Sequence, residues 1–247
     1  MPPTDPARPL AVIELRQYTL RPGRRDELIE LFDRELVETQ EDQGIAVLGQ
    51  FRDLDDPDRF VWLRAFPDMA ARHDALTAFY GGPVWARHRD RANATMTDSD
   101  DVLLLRPLTD CSGFHPAPSV RRPRTGAPAP ARFVSATVWS FPPGRPDGIA
   151  LVRDGLLPLL RNTGAAPLAA YATESAPNTF PRLPVRTGEN AAVVLTSHPD
   201  EESHRRHLTA LRAHPVAREE VLPGIGREQR SAPRALRLAP TGRSLIS

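Results

Sequence analysis

An internal repeat constrains the fold of this 247-residue chain more than any other feature of its sequence. The segment YTLRPGR at residues 18–24 recurs as WSFPPGR at residues 139–145, and later matches follow in the same order. The spacing between matches changes once, at the Pro-rich residues 175–186, which have no equivalent in the first copy. Chance matches would not keep a nearly constant spacing, so we expect two diverged copies of one structural unit.

Each copy shows the same order of predicted elements. Alternating and β-branched residues bounded by turn residues predict strands, and apolar residues at helical spacing predict helices. In the first copy the strands are predicted at residues 11–20, 45–52, 59–66 and 102–106, and the helices at residues 25–41 and 68–80. Pro83 is then expected to begin a further short helix, because proline fits the first helical position. The unit is therefore βαββαβ.

A βαββαβ unit forms a four-stranded antiparallel sheet with helices on one face, and its other face needs a cover. We predict an α+β fold in which two tandem ferredoxin-like βαββαβ units, at residues 10–108 and 131–240, form a pseudo-dimeric α/β barrel. Residues 109–130, rich in Pro, Ser and Gly, are the predicted linker. The facing sheets would enclose a cavity. Alternatively, each unit pairs with another chain, as in a homodimer.

The composition excludes several classes of protein. All 32 Lys and Arg residues are Arg, so a Schiff-base lysine, a pyridoxal phosphate anchor and a P-loop lysine are ruled out. The net charge of +1 gives no field for nucleic acid, and no apolar run is long enough for a membrane span. A single cysteine excludes an internal disulfide and a Cys-based zinc site. We expect a cytoplasmic protein with a small-molecule partner.

Several motifs resemble the NIPSNAP family. These are ELRQYTL at residues 14–20, FVWLRAF at 60–66 and FYGGPVW at 79–85, while APNTFPRLPVR at 176–186 resembles a loop of two-copy bacterial members. The resemblance implies a dimeric α/β barrel. It implies no single activity, because relatives include cofactor-independent monooxygenases, haem-handling proteins and small-molecule lyases or cyclases.

Strand alternation groups the candidate site residues by face. If Ile13 and Leu15 face the helices, Glu14, Arg16 and Tyr18 face the opposite way. Trp62 and Arg64 share that second face on their own strand, so the five side chains would line the cavity between the sheets. One carboxylate with two guanidinium groups leaves one positive charge for an anionic ligand. The alternative is an internal ion pair or a face exposed to water.

The helix after Pro83 supplies the second candidate set, because Trp85, His88 and Arg89 lie on one helix face. His88 is the natural acid or base at neutral pH, although a histidine packed under a docked helix explains it equally simply. The Pro-rich residues 175–186 are expected to close one mouth of the cavity, with Phe180 or Arg182 pointing inward.

Four further histidines, at positions 198, 204, 207 and 214, match no known ligand spacing, so we predict no metal site.

The sequence thus favours an enzyme with no tightly bound organic cofactor, acting in bacterial secondary metabolism on a carboxylate- or enolate-bearing metabolite. An isomerase, a cyclase, a lyase or a cofactor-independent monooxygenase would each fit. The predicted catalytic residues are His88, Glu14 and Arg64. The predicted substrate-binding residues are Arg16, Tyr18, Trp62, Tyr80, Trp85, Arg89, Phe180 and Arg182. The alternative function is a non-catalytic ligand-binding or partner-binding module of the NIPSNAP type.

Overall fold

The computed structural model describes residues 9–114 and 123–247. The first copy contains β1 (Val12–Leu20), α1 (Arg25–Leu31), α2 (Val37–Glu41), β2 (Ala46–Asp53), β3 (Arg59–Phe66), α3 (Met69–Gly81), α4 (Pro83–Thr95) and β4 (Met96–Pro107). The second copy contains β5 (Phe133–Ser140), α5 (Asp147–Ala150), α6 (Leu157–Asn162), β6 (Ala169–Thr173), β7 (Ala191–His198), α7 (Glu201–Ala213), α8 (Leu222–Glu228) and β8 (Arg234–Pro240). Part of the predicted linker, residues 115–122, lies outside the described residues.

The eight strands form one closed antiparallel barrel in the order β1-β3-β2-β8-β5-β7-β6-β4. Each copy supplies four neighbouring strands, and the two sheets join along the β2–β8 and β4–β6 edges. Because closure pairs every edge strand, neither sheet presents an open edge to another chain. The predicted pseudo-dimeric barrel within one chain is confirmed.

The interior of the barrel is filled by apolar side chains from all eight strands. Ile13, Leu15, Val61 and Leu63 meet residues such as Val193 there, and all of them are buried. The predicted cavity between the two sheets is therefore wrong. The alternation of side chains along each strand identified correctly which residues share a face of the sheet. It does not determine which of the two faces lines the barrel interior.

A helical layer covers the outer face of each half of the barrel, with its own apolar core. In the first copy, α1 and α2 are joined by a π-helical turn, Phe32–Leu36, and the second copy repeats this feature at Leu151–Leu156. Asp68 and Asp200 each cap the helix that follows by accepting a backbone hydrogen bond of 2.7 Å. Within the described residues, no helix is long and apolar enough to cross a membrane.

We expect Leu63→Ala to lower the free energy of unfolding by about 2–5 kcal/mol, because it opens a cavity in a packed interior. The control is Leu54→Ala, whose side chain is 48% exposed and whose change should stay within about 0.5 kcal/mol. Urea unfolding at pH 7 measures both. A loss below about 1 kcal/mol for Leu63→Ala would indicate that the barrel interior is not tightly packed.

Candidate functional site

A buried carboxylate surrounded by three guanidinium groups lies on the outer face of the first sheet. Glu14 Oε2 accepts hydrogen bonds from Arg16 Nη1 at 2.6 Å and from Arg64 Nε at 2.7 Å. Its other oxygen, Oε1, accepts one from Arg72 Nε at 2.7 Å. Glu14 and Arg64 are directly opposite in the β1–β3 register, and Arg72 lies on α3 above them. We call these four residues the charge cluster.

The charge cluster carries a net charge of +2, and its side chains are at most 1% exposed. Buried charge is costly unless it is paired and hydrogen-bonded. Among the described residues, Nη2 of Arg64, Nη2 of Arg72 and Nε1 of the neighbouring Trp62 are buried without a hydrogen-bond partner. The site therefore holds uncompensated positive charge and unused donors, which suits an anionic group.

The charge cluster fixes the ionisation of its members. Burial alone would raise the pKa of Glu14, but Arg64, Arg16 and Arg72 together hold it well below its ordinary value of 4.5. Burial raises the pKa of Tyr18, and the charge of Arg16, whose Nε donates to the Tyr18 hydroxyl at 3.0 Å, offsets this only in part. Glu14 is thus a fixed carboxylate and Tyr18 a neutral phenol at pH 7.

A pocket lies beside the charge cluster, between the first sheet and its helices. Its walls are mainly aromatic: Tyr18, Phe32, Trp62, Phe79, Tyr80 and Trp85. Its polar groups connect it to the cluster, because Arg64 Nη1 lies 3.4 Å from both the Gln40 amide oxygen and the Tyr80 hydroxyl. The cavity volume is about 40 Å³. That gives room for about three water molecules, so a larger ligand requires the walls to move.

The structure brings together most of the residues that the sequence proposed, but in a different place. Glu14 and Arg16 lie in the charge cluster with Arg64, and four of the five predicted aromatic residues line the pocket: Tyr18, Trp62, Tyr80 and Trp85. All of them lie between the first sheet and its helices instead of in the barrel interior. Their predicted roles stay predictions.

The other predicted residues lie away from the pocket lining. His88 is half-buried, with Nε2 3.8 Å from a Glu35 carboxylate oxygen in the helical turn that packs against α4, and exposed Arg89 contacts Asp90. Phe180 is buried against Tyr80, whereas Arg182 is exposed above the Phe180 ring. Of the two half-buried residues Trp85 and His88 on this helix face, Trp85 lines the pocket.

Sequence reasoning missed Arg72 and Gln40. Arg72 belongs to the buried stripe of α3 together with Ala75, Leu76 and Phe79. An arginine within an apolar helical stripe is the observation that could have identified it, because a buried guanidinium requires a buried acceptor. Gln40 is buried on α2, and its backbone partner Leu36 gives no comparable indication.

The second copy does not repeat this site. In register with Glu14, Arg64 and Arg72 it has Ser135, Thr196 and His204. His204 contacts the ring of His198, whose pKa is lowered to about 4 by burial and then by its histidine neighbours. Within the described residues, no group of His, Cys, Asp and Glu is arranged to hold a metal ion.

The comparison with protein families finds a match in the first copy. Residues 13–112 match the NIPSNAP family model. We call these residues, which are similar to that family, the NIPSNAP domain. The sequence resemblance is thereby confirmed for the part of the chain that carries the charge cluster and the pocket. The comparison with curated proteins found no match.

Three solved structures share the whole fold. An anthrone oxidase-like protein matches with a TM-score of 0.61 and 12% identity, over 94% of this chain and 92% of that one. A candidate monooxygenase from Lactobacillus acidophilus matches with a TM-score of 0.56 and 13% identity, over 94% of both chains. A candidate monooxygenase from Fusobacterium nucleatum matches with a TM-score of 0.58 and 9% identity, over 94% of this chain and 92% of that one. At these identities the similarity shows the fold alone.

We expect Glu14→Gln in the NIPSNAP domain to lower the free energy of unfolding by about 3–5 kcal/mol at pH 7, because it leaves three buried guanidinium groups without their carboxylate. The folded-state pKa of Glu14 lies below the unfolded value of 4.5. Its stabilisation is therefore complete above about pH 4.5 and is lost as the pH falls further. Urea unfolding between pH 7 and pH 3 measures this, and the variant should lack that part of the acid dependence.

The matched control is Ser135→Ala, which changes the buried side chain at the equivalent position of the second copy. If Glu14→Gln costs no more than this control at pH 7, Glu14 does not compensate the three buried guanidinium groups as described.

Proposed function

We propose that the pocket of the NIPSNAP domain belongs to an enzyme that binds a planar small molecule and stabilises its oxyanion, an enolate, phenolate or carboxylate, without a tightly bound organic cofactor. The observation that carries this is an aromatic pocket beside a charge cluster of net charge +2, with the buried donors Trp62 Nε1 and Arg64 Nη2 unpartnered. Donors that already point to where negative charge develops need no reorganisation during the reaction.

The electrostatics of the pocket act on the acidity of the ligand. An opposite charge within about 4–6 Å lowers the pKa of an acid by about 1–3. Arg16 and Arg64 reach the pocket through the Tyr18 and Tyr80 hydroxyls, so an enol or phenol bound there would ionise more readily than in water. Tyr18, held neutral, can donate a hydrogen bond to the resulting oxyanion.

The same geometry limits which residue moves the proton. Glu14 is engaged by three arginines and its lowered pKa makes it a weak base, so its role is that of a fixed counter-ion. His88 faces Glu35 and is not among the residues that line the pocket. The proposal therefore suits a substrate acidic enough to lose its proton to water once it is bound. Isomerisation, cyclisation, bond cleavage and reaction with dioxygen can all start from such an anion.

Oxygenation is the version to test first, because the matched structures include an anthrone oxidase-like protein and two candidate monooxygenases. In that reaction the anthrone enolate is oxidised by dioxygen to anthraquinone, and one oxygen atom of O₂ leaves as water. Dioxygen is thus the oxidant, and the ring carbon is oxidised. The role in bacterial secondary metabolism remains a prediction from the sequence.

The second candidate function is a ligand carrier that performs no chemistry. One observation favours it: the residues that line the pocket include no histidine and no carboxylate. Aromatic walls over a positive charge would bind a planar anion equally well without transforming it.

We expect the protein to bind 4-nitrophenol as its phenolate, with a pKa about 1–3 lower for the bound probe than for the free one. Phenol and phenolate absorb at different wavelengths, so an absorption titration at saturating protein measures the bound pKa directly. Arg64→Met should raise the bound pKa towards the free value, because it removes one positive charge beside the pocket. Thr196→Val, the matched position in the second copy, should leave it unchanged.

A bound pKa equal to the free one would overturn the proposal. An oxygen electrode with anthrone then separates enzyme from carrier: oxygen consumption above the spontaneous rate, reduced by Arg64→Met and not by Thr196→Val, supports the enzyme. Tight binding without accelerated oxygen consumption over a panel of enolisable substrates would favour the carrier.

A further inference from the structure

The segment at residues 175–186, which only the second copy has, crosses onto the NIPSNAP domain. We call it the bridging segment. Thr179 Oγ1 donates a hydrogen bond of 3.1 Å to the Met69 carbonyl at the start of α3. The Phe180 ring stacks on Tyr80, with 5.8 Å between the ring centroids and an angle of 26° between their planes. Since Tyr80 lines the pocket, the second copy contacts a wall of the first-copy site.

Arg72 joins the bridging segment to the charge cluster. Its Nε donates to Glu14 Oε1, while its Nη1 donates to Asn178 Oδ1 at 3.0 Å and to Thr179 Oγ1 at 3.2 Å. The Arg72 side chain is 0% exposed. One buried guanidinium therefore spans a first-copy carboxylate and two second-copy acceptors.

The bridging segment holds Asn178 in place through contacts of its own, independent of Arg72. Asn178 Nδ2 donates to the Leu183 carbonyl at 2.9 Å, and its Oδ1 also accepts from the Phe180 backbone N–H at 3.0 Å. Prolines 177, 181 and 184 restrict the backbone around this turn. Such a turn can present acceptors to a buried donor at low entropic cost.

Arg72 needs these acceptors because it is buried beside two other positive charges. Burial lowers the pKa of Arg72, and the charges of Arg64 and Arg16 act in the same direction against the opposing effect of Glu14. Without acceptors on its outer side, the guanidinium gains by turning away from its neighbours towards water. Glu14 would then be less neutralised, and the positive field at the pocket would weaken.

We propose that Asn178 and Thr179 are positioning residues that hold Arg72 against Glu14, so that the second copy sets the charge of the first-copy pocket. The effect on the pKa of a bound ligand rests on the proposed function, whereas the effect on the position of the Arg72 side chain does not. The barrel alone does not require this contact, because the first copy has no bridging segment of its own.

The test of the positioning role uses Thr179→Val, which keeps the shape of the side chain and removes the oxygen that accepts from Arg72. Thr179→Ser restores that oxygen. Thr187→Val makes the same change at an exposed threonine just beyond the bridging segment, and serves as the matched control. The readout is hydrogen exchange of the Arg72 Nε–H, followed by ¹⁵N-edited NMR and assigned by its loss in Arg72→Gln.

We expect Thr179→Val to speed exchange of the Arg72 Nε–H about tenfold, the effect of losing one hydrogen bond to a charged group. Thr179→Ser and Thr187→Val should exchange at the wild-type rate. Unchanged exchange in Thr179→Val would overturn the proposal. Equal acceleration in Thr187→Val would overturn it too, because the change would then reflect general loosening.

A second variant tests the charge of the pocket. Asn178→Asp places a carboxylate beside Arg72 and lowers the net charge of the site, so the pKa of bound 4-nitrophenol should rise and the phenolate should bind about tenfold more weakly.

If wild-type protein fails to lower the pKa of the probe but Thr179→Val still speeds Arg72 exchange, the proposed function fails and the positioning role stands. If the probe binds as phenolate and neither variant alters its pKa or the exchange, the positioning role fails alone.

Discussion

The interaction between Glu14 and its three arginines determines how the NIPSNAP domain is assembled. Each of these groups would be costly to bury alone, so all four must reach their places together. The carboxylate lies in β1, one guanidinium comes from the paired position of β3, and another comes from α3 above the sheet. This set of hydrogen bonds is compatible with one register of β1 on β3 and one position of α3 over the sheet. It also leaves positive charge beside the pocket.

The location of the charge cluster follows from what each face of a closed barrel offers. The interior is enclosed mainly by strands, whose backbone groups pair with one another, so side chains there meet mostly apolar side chains from other strands. Aliphatic residues such as Leu15 and Leu63 satisfy that environment. The outer face meets helices and a loop that supply Gln40, Tyr80, Arg72 and Asn178 as polar partners. Charged residues can therefore be buried on the outer face at lower cost.

This difference explains which parts of the structure could be predicted from the sequence. The repeat predicted two like units, and closure of their sheets into a barrel followed because each unit has one uncovered face. Alternation grouped Glu14, Arg16 and Tyr18 correctly, but both faces of this sheet are buried, so burial alone did not distinguish inside from outside. The available distinction was composition: one face is mainly aliphatic, with Gln17 as a polar exception on β1, and the other carries charged residues. Arg72 and Asn178 lie far from Glu14 in sequence, and only the folded chain brings them together.

The divergence of the two copies is consistent with a division of physical tasks. Closing the barrel requires four strands from each copy, and both copies keep them. An uncompensated charge cluster destabilises the half that contains it, and two such clusters would double that cost without adding a different site. In the second copy Ser135 and Thr196 occupy the places of Glu14 and Arg64, so that half is free of the cost. It has instead the bridging segment, whose acceptors contact Arg72 in the other half. A duplicated unit can thus keep one buried charge cluster while its twin supplies hydrogen-bond acceptors to that cluster.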